Sequence, residues 1–217
     1  MAREQYHKEL KELKQDILKI GELTIIAVRN AVLSLKEQNE ELATKVIKGD
    51  KEIDELDLSI EKKCMRLIAL QQPMARDLRM IISALKIIID IERIGDLALE
   101  ISKIAIATIG TPHIKPLIDI PRMSEIICEM MNDALIAFES YNVDLAYKTA
   151  KRDDEVDALF DQTRRELITY MIEDPKKITN ASHLQFTVRY LERMGDHVTN
   201  ICESVIYMIT GNRVELN

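Results

Sequence analysis

Apolar residues recur at intervals of three and four along almost the whole chain of 217 residues, and this spacing predicts α-helices. The first such stripe runs from about residue 3 to residue 37, and the next from about residue 40 to residue 70. No segment keeps the alternation of apolar and polar residues that is typical of a half-buried strand. The six glycines and five prolines are too few for the turns of a many-stranded sandwich or barrel. We therefore predict an all-α protein.

Proline and glycine residues divide the pattern into six long helices. Pro73 marks the end of the second helix, and Gly110 is placed to end a third helix that runs from about residue 74 to residue 109. Residues 110–116 contain two prolines and a glycine, which favours a linker. Beyond it the pattern predicts three more helices, over about 120–141, 142–172 and 179–211. Short loops between these helices favour antiparallel neighbours.

The two halves of the chain resemble each other in sequence. Residues 48–56 align with residues 151–159, and the segment ERIGD at 92–96 aligns with ERMGD at 192–196. An internal duplication explains both alignments. We predict two pseudo-repeated three-helix bundles, residues 1–110 and residues 111–217, each with its own core.

Composition and charge exclude several classes of protein. With 30 basic and 37 acidic residues the net charge is −7, and a nucleic-acid partner would need a concentrated basic surface instead. Residues 1–9 lack the apolar core of a secretory signal. The most apolar stretch, residues 78–94, is interrupted by Lys86 and Asp90, so no segment is expected to span a bilayer. These features favour a cytoplasmic protein.

Each half carries two pairs of acidic residues spaced four apart, which places each pair on one face of a helix. Asp54 and Glu92 lie about nineteen residues before and after Pro73, so antiparallel helices bring their pairs level. The second half has the same arrangement around Pro175. Four carboxylates are therefore expected to converge in each half, and the eight residues are Asp50, Asp54, Glu92, Asp96, Asp153, Asp157, Glu192 and Asp196.

Converging carboxylates require compensating positive charge, and this favours a cation site. Oxygen ligands suit Mg²⁺, Ca²⁺, Mn²⁺ or iron, while zinc also accepts carboxylates, and bridging carboxylates could hold more than one ion. The alternative is that the acids are solvated and paired with lysine or arginine. Gly95 and Gly195 each precede the last acid of a half. They either leave room for a bound ion or permit close packing of helices.

The duplicated acidic motifs, together with LIALQQPMARDLR at 67–79 and LERMGDHVTNI at 191–201, resemble the PhoU family, the regulators of bacterial phosphate transport. The resemblance extends over essentially the whole chain. It implies two three-helix bundles and a protein that is not an enzyme. It also implies multinuclear iron or zinc clusters, or other divalent ions, bound by the eight acidic residues named above.

The resemblance further implies a negative regulatory adaptor. Members of the family link the Pst phosphate ABC transporter, through its ATPase, to the sensor histidine kinase of the phosphate response. They are peripheral to the inner face of the membrane, and some form homodimers. Glu100 is acidic where the second half has Asn200, so the two sites are expected to differ in charge and metal content.

Two other functions agree with the same residues. One is a carboxylate-bridged metalloenzyme, such as a metal-dependent hydrolase that uses a metal-bound water. Such an enzyme needs a group that handles protons, and His197 is the convenient candidate. The other is a metal-free helical scaffold whose acids are surface charge.

Overall fold

The computed structural model describes the backbone of residues 2–216 and the side chains of residues 4–216. Residues 2–216 contain no β-strand, which confirms the all-α prediction. The terminal residues of the two predicted bundles, Met1 and Asn217, lie outside this range. The helices are α1 (Ala2–Glu37), α2 (Glu40–Gln71), α3 (Arg76–Ala107), α4 (Asp119–Ser140), α5 (Val143–Ala150), α6 (Asp153–Glu173) and α7 (Ile178–Thr210), with a 3-10 turn at Pro175–Lys177 before α7.

The helix that was predicted over residues 142–172 is two helices, α5 and α6. Asn142 caps α5 as a favourable N-cap residue should, because its side chain accepts a hydrogen bond from the Leu145 amide at 3.0 Å. A turn at Lys151 and Arg152 separates the two helices. Arg152 holds this turn against α4 through an ion pair with Glu129. Together α5 and α6 occupy the position of one helix of the three-helix bundle, so each repeat keeps three helical segments.

The segment predicted as a linker is attached to the end of α1. Gln38 donates a hydrogen bond from its side-chain amide to the Thr111 carbonyl at 2.5 Å, and His113 Nε2 lies 2.9 Å from the Leu35 carbonyl. Gly110, which was predicted to end the third helix, adopts a φ of 76°, in the left-handed region, although α3 already ends at Ala107. The connection between the repeats is therefore packed against the first bundle.

The two repeats join along α3 and α7, which run antiparallel to each other. Arg79 near the start of α3 donates a hydrogen bond to the Met208 carbonyl near the end of α7, at 3.5 Å. Midway along the pair, Asp90 of α3 contacts His197 of α7 at 2.9 Å. Helices α1 and α4 also contact each other, so the two bundles meet through two pairs of helices.

One hydrophobic core runs through both repeats. Buried apolar residues from all seven helices form a single contiguous cluster, so the expectation of two separate cores is wrong. The physical reason lies in α3 and α7. Each has buried residues on more than one face, because it packs on its own bundle and on the other helix. No helix within residues 2–216 is long and apolar enough to cross a membrane.

Candidate metal centres

The first predicted acidic group is brought together by α2 and α3, as the antiparallel arrangement required. Asp50 on α2 lies opposite Gly95 and Asp96 on α3: a Cβ atom on Gly95 would be 3.7 Å from Asp50 Oδ1. Burial, and then the charges of Asp54 and Asp96, raise the pKa of Asp50 to about 6. Asp50 is therefore close enough to acids on both helices for their charges to oppose its ionisation.

An arginine partly compensates the acids on α3. Arg93 donates a hydrogen bond to Asp96 at 2.9 Å and approaches Glu92 at 3.5 Å. The pKa of Glu92 is nevertheless raised, because burial and the charge of Asp96 outweigh the effect of Arg93. The alternative of acids paired with lysine or arginine therefore holds for Asp96 and in part for Glu92. Asp50 forms no ion pair with a described residue, although the charge of Lys103 opposes the rise of its pKa.

Asp57 belongs to the same group and was missed in the sequence. It lies on α2, one turn after Asp54, and its charge contributes to the raised pKa of Glu92. Its own pKa is raised by burial and by the charges of Glu61 and Asp54. The i, i+3 spacing from Asp54 would have been the signal. A search guided by the repeat passes over it, because the corresponding position of the second half is Phe160.

The second group is more deeply buried than the first. Asp153, at the start of α6, is 7% exposed, and burial followed by the charges of Asp157 and Asp196 raises its pKa to about 7. Thr199 donates a hydrogen bond to Asp153 Oδ2 at 3.4 Å, while Oδ1 has no partner. A Cβ atom on Gly195 would overlap with that Oδ1 atom. Gly195 thus makes room for a buried carboxylate to approach α7.

The remaining acids of the second group are paired differently from those of the first. Arg189 forms an ion pair with Glu192. Burial and the charge of Asp196 still raise the pKa of Glu192. Asp157 is exposed on the whole. Partial burial of its side chain, and then the charge of Asp196, raise its pKa.

Within residues 4–216, buried carboxylate oxygens without a hydrogen-bond partner are confined to these two groups. Among the described residues they are one oxygen each of Asp57, Asp153 and Glu192. An unpaired buried carboxylate must take up a proton or meet a cation. No three His, Cys, Asp or Glu side chains in the described part are close enough together to hold a metal ion as they stand. Chelation would therefore require these carboxylate side chains to rotate towards one another.

His197, the candidate proton-handling group of the alternative metalloenzyme, contacts the other repeat. Its Nδ1 atom lies 2.9 Å from Asp90 Oδ1, and Asn200 donates to the same oxygen at 3.2 Å. The side chains of Asp90 and His197 are both largely buried. These three residues therefore connect α3 to α7. Glu100, in contrast, pairs with Lys103 at 2.6 Å on its own helix.

Fold and site together define a class of protein: an all-helical protein made of a duplicated three-helix unit, with a group of partly buried carboxylates in each unit. The PhoU domain model matches residues 17–105 and 120–205 of the chain. The protein belongs to the PhoU family.

Known relatives and solved structures agree with this assignment. The chain is 46% identical over 208 residues to a phosphate-specific transport system accessory protein PhoU homolog from Aquifex aeolicus, with 96% of this chain and 94% of the relative covered. It is 39% identical to the homolog of the same description from Clostridium acetobutylicum, with both chains fully covered. These names describe accessory proteins and not enzymes.

Crystal structures share the fold. PhoU from Pseudomonas aeruginosa superposes with a TM-score of 0.92 at 36% identity, covering 95% of this chain and 100% of that one. The phosphate transport system regulatory protein PhoU from Streptococcus pneumoniae gives a TM-score of 0.90 at 30% identity, covering 97% and 99%. The duplicated helical architecture is therefore that of the family.

Proposed function

We propose that this protein is a metal-binding negative regulator of phosphate uptake and of the response to phosphate starvation. In this proposal it is a cytoplasmic adaptor between the ATPase of the Pst phosphate transporter and the phosphate-sensing histidine kinase. Its relatives are named accessory proteins of the phosphate-specific transport system, which supports the connection to phosphate transport. Association with the inner face of the membrane would then occur through these partners, and a homodimer stays a prediction.

The observation that carries metal binding is the set of buried carboxylate oxygens without partners at Asp57, Asp153 and Glu192. Their environment suits a multivalent cation, because several acids with raised pKa values share each site. Hard oxygen donors fit iron, Mg²⁺, Mn²⁺ or Ca²⁺, and zinc is also compatible. The first site would use Asp50, Asp54, Asp57, Glu92 and Asp96, and the second Asp153, Asp157, Glu192 and Asp196.

The residues of each site lie on two helices, which suggests how metal binding would affect partner binding. Asp50 and Asp54 come from α2, whereas Glu92 and Asp96 come from α3. A bound ion supplies charge neutralisation. Carboxylates that share it would hold α2 against α3, and the second site would hold α6 against α7 in the same way. We propose that this fixes the helical surface that the ATPase and the kinase recognise.

The test is binding of the two partners with and without metal. Purified protein, either metal-loaded or treated with a chelator, is passed over the immobilised ATPase and over the kinase's cytoplasmic part. We expect both partners to retain the metal-loaded protein and to lose most of it after chelation. The variant Asp153→Asn with Asp157→Asn should behave like chelated protein. Asp144→Asn, an exposed acid on α5, is the control and should bind normally.

Failure of the metal-loaded protein to bind either partner contradicts the adaptor function. Turnover of a phosphate ester that disappears with the metal would instead support the metalloenzyme. Partner binding that is equal with and without metal would leave the adaptor in place and contradict the regulatory part of the proposal.

A further inference from the structure

A cavity of about 300 Å³ lies between α1, the start of α3 and the end of α4, away from both acidic groups. This volume is within the range of small-molecule sites. Its floor is apolar, because Leu10 and Met80 are buried. Its walls carry the side chains of His7, Lys11, Lys14, Arg76, Asp77 and Tyr141. We refer to it as the basic cavity.

Two of the cations in the basic cavity share one aromatic ring. Lys14 Nζ lies 3.9 Å from the centroid of the Tyr141 ring, and the Arg76 guanidinium carbon lies 4.7 Å from it. The two charges therefore cannot be more than 8.6 Å apart, the sum of these distances. Cation–π contact stabilises each of them, but it leaves their mutual repulsion in place.

The cavity has more positive than negative charge. Lys11, Lys14 and Arg76 form no ion pair with any described residue. The carboxylate in the lining, Asp77, accepts a hydrogen bond from the Tyr6 hydroxyl at 3.0 Å. Burial and the contact with Asp77 raise the pKa of Tyr6 to about 12, so the phenol stays a donor to this carboxylate. Three cations thus face one carboxylate whose acceptor capacity is already partly used.

Lys115 shows how a buried ammonium is compensated in this protein. Its side chain is 9% exposed at the start of the second repeat, and it pairs with Asp119 at 3.2 Å and also with Glu166. Two carboxylates therefore compensate one buried ammonium. No ion pair is found within residues 4–216 for the half-buried Lys14 or for the exposed Arg76, although they lie close together over an apolar floor.

We propose that the basic cavity binds a phosphate-type oxyanion. A doubly charged tetrahedral anion would accept charge-assisted hydrogen bonds from Lys14 and Arg76, whose planar guanidinium suits two phosphate oxygens, and Lys11 lies in the same lining. An anion there also removes the repulsion between neighbouring cations. The choice of phosphate among oxyanions rests on the proposed function, whereas the excess of positive charge does not.

The experiment is equilibrium dialysis of the full chain against radiolabelled orthophosphate at fixed, low ionic strength. Wild type should bind one saturable equivalent. Lys14→Gln combined with Arg76→Gln should weaken binding at least about tenfold, because two charge-assisted hydrogen bonds are lost. Lys51→Gln combined with Arg165→Gln is the matched control: it removes the same charges from exposed positions outside the cavity, and it should leave the affinity unchanged.

Absence of saturable binding by wild type, or an equal loss in the control, overturns the proposal. Sulfate that competes as well as phosphate contradicts the assignment to phosphate, and phosphoserine that binds while orthophosphate does not contradicts a free-anion site. The single variant Lys14→Gln, checked by its thermal unfolding, replaces the double variant if that one does not fold. Metal content is measured on the same samples, so loss of phosphate binding with metal retained is separate from a failure of the proposed metal sites.

Discussion

Asp153 is the clearest example of a buried carboxylate in this protein. The residue is buried, receives one hydrogen bond from Thr199 and packs against a position that only glycine can occupy without a shift. The sequence could point to Asp153 and Gly195, because both lie in repeated motifs. It could not show that the carboxylate points at the glycine, since that depends on how closely α6 and α7 approach each other.

The two helical glycines offer a matched pair of substitutions. Gly195→Ala should lower the free energy of unfolding by about 1–3 kcal/mol, because the new Cβ atom displaces the buried Asp153 carboxylate. Gly95→Ala should be neutral or stabilise by up to about 1 kcal/mol, because its nearest neighbours, two Ile53 carbons, are at 3.5 Å and alanine favours helix. Urea unfolding in the presence of a chelator measures both, and equal effects would contradict the account of Gly195.

The raised pKa of Asp153 predicts a pH dependence of stability. Folding raises this pKa from 3.8 to about 7, so the folded state binds more protons than the unfolded state between these values. The contribution of Asp153 to stability is therefore largest below pH 4 and is lost as the pH rises through 7. In chelator, Asp153→Asn should be more stable than wild type at pH 8 and should lose less stability between pH 5 and pH 8. Parallel stability curves would show that Asp153 does not titrate in this range.

At the scale of helices, periodicity was enough to predict three helical segments in each repeat. The distances of the acids from Pro73 and Pro175 predicted that the acidic pairs of neighbouring helices lie level with each other. Periodicity did not predict the break between α5 and α6, because Lys151 and Arg152 are ordinary helix formers and the turn is held by an ion pair from Arg152 to α4. Asp57 was missed for a different reason: the repeat that revealed the other acidic residues has Phe160 in its place. Comparison of the two halves cannot find an acidic residue that only one half contains.

The contact of Asp90 with His197 and Asn200 predicts a role in joining α3 to α7. Asp90→Ala would leave two partly buried polar side chains without their acceptor, and we expect it to lower the free energy of unfolding by about 1–3 kcal/mol. Glu139→Ala, an exposed acid at the end of α4, should change it by less than about 0.5 kcal/mol. Urea unfolding at pH 7 compares them, and a similar, small effect of both would argue against this role.

At the scale of the whole molecule, the two repeats are joined by one continuous core. The sequence revealed the duplication but not the shared core, because the apolar stripe of a helix does not specify which other helix packs against it. Ile87, Ile91 and Ile94 are fully buried in α3, a helix that packs on α7 as well as on α1 and α2. The boundary at residues 110 and 111 therefore divides the two sequence repeats. As a boundary between two folding domains it stays a prediction.

The shared core predicts that the repeats do not fold independently. A fragment of residues 1–110 should show reduced helicity and should aggregate, because it exposes the face of α3 that α7 covers. The full chain should unfold in one cooperative transition. Circular dichroism and sedimentation of the fragment test this, and a monomeric fragment with full helicity and cooperative unfolding would contradict it.

Metal content per chain tests the central claim most directly. It is measured by elemental analysis of wild type, of Glu92→Gln/Asp96→Asn, of Glu192→Gln/Asp196→Asn and of the fourfold variant, with the exposed acids Glu22 and Glu139 changed to Gln as the control. We expect each double variant to lose the metal of one site and keep that of the other, the fourfold variant to lose both, and the control to equal wild type. Undiminished metal in the fourfold variant would contradict the claim that these carboxylates hold it.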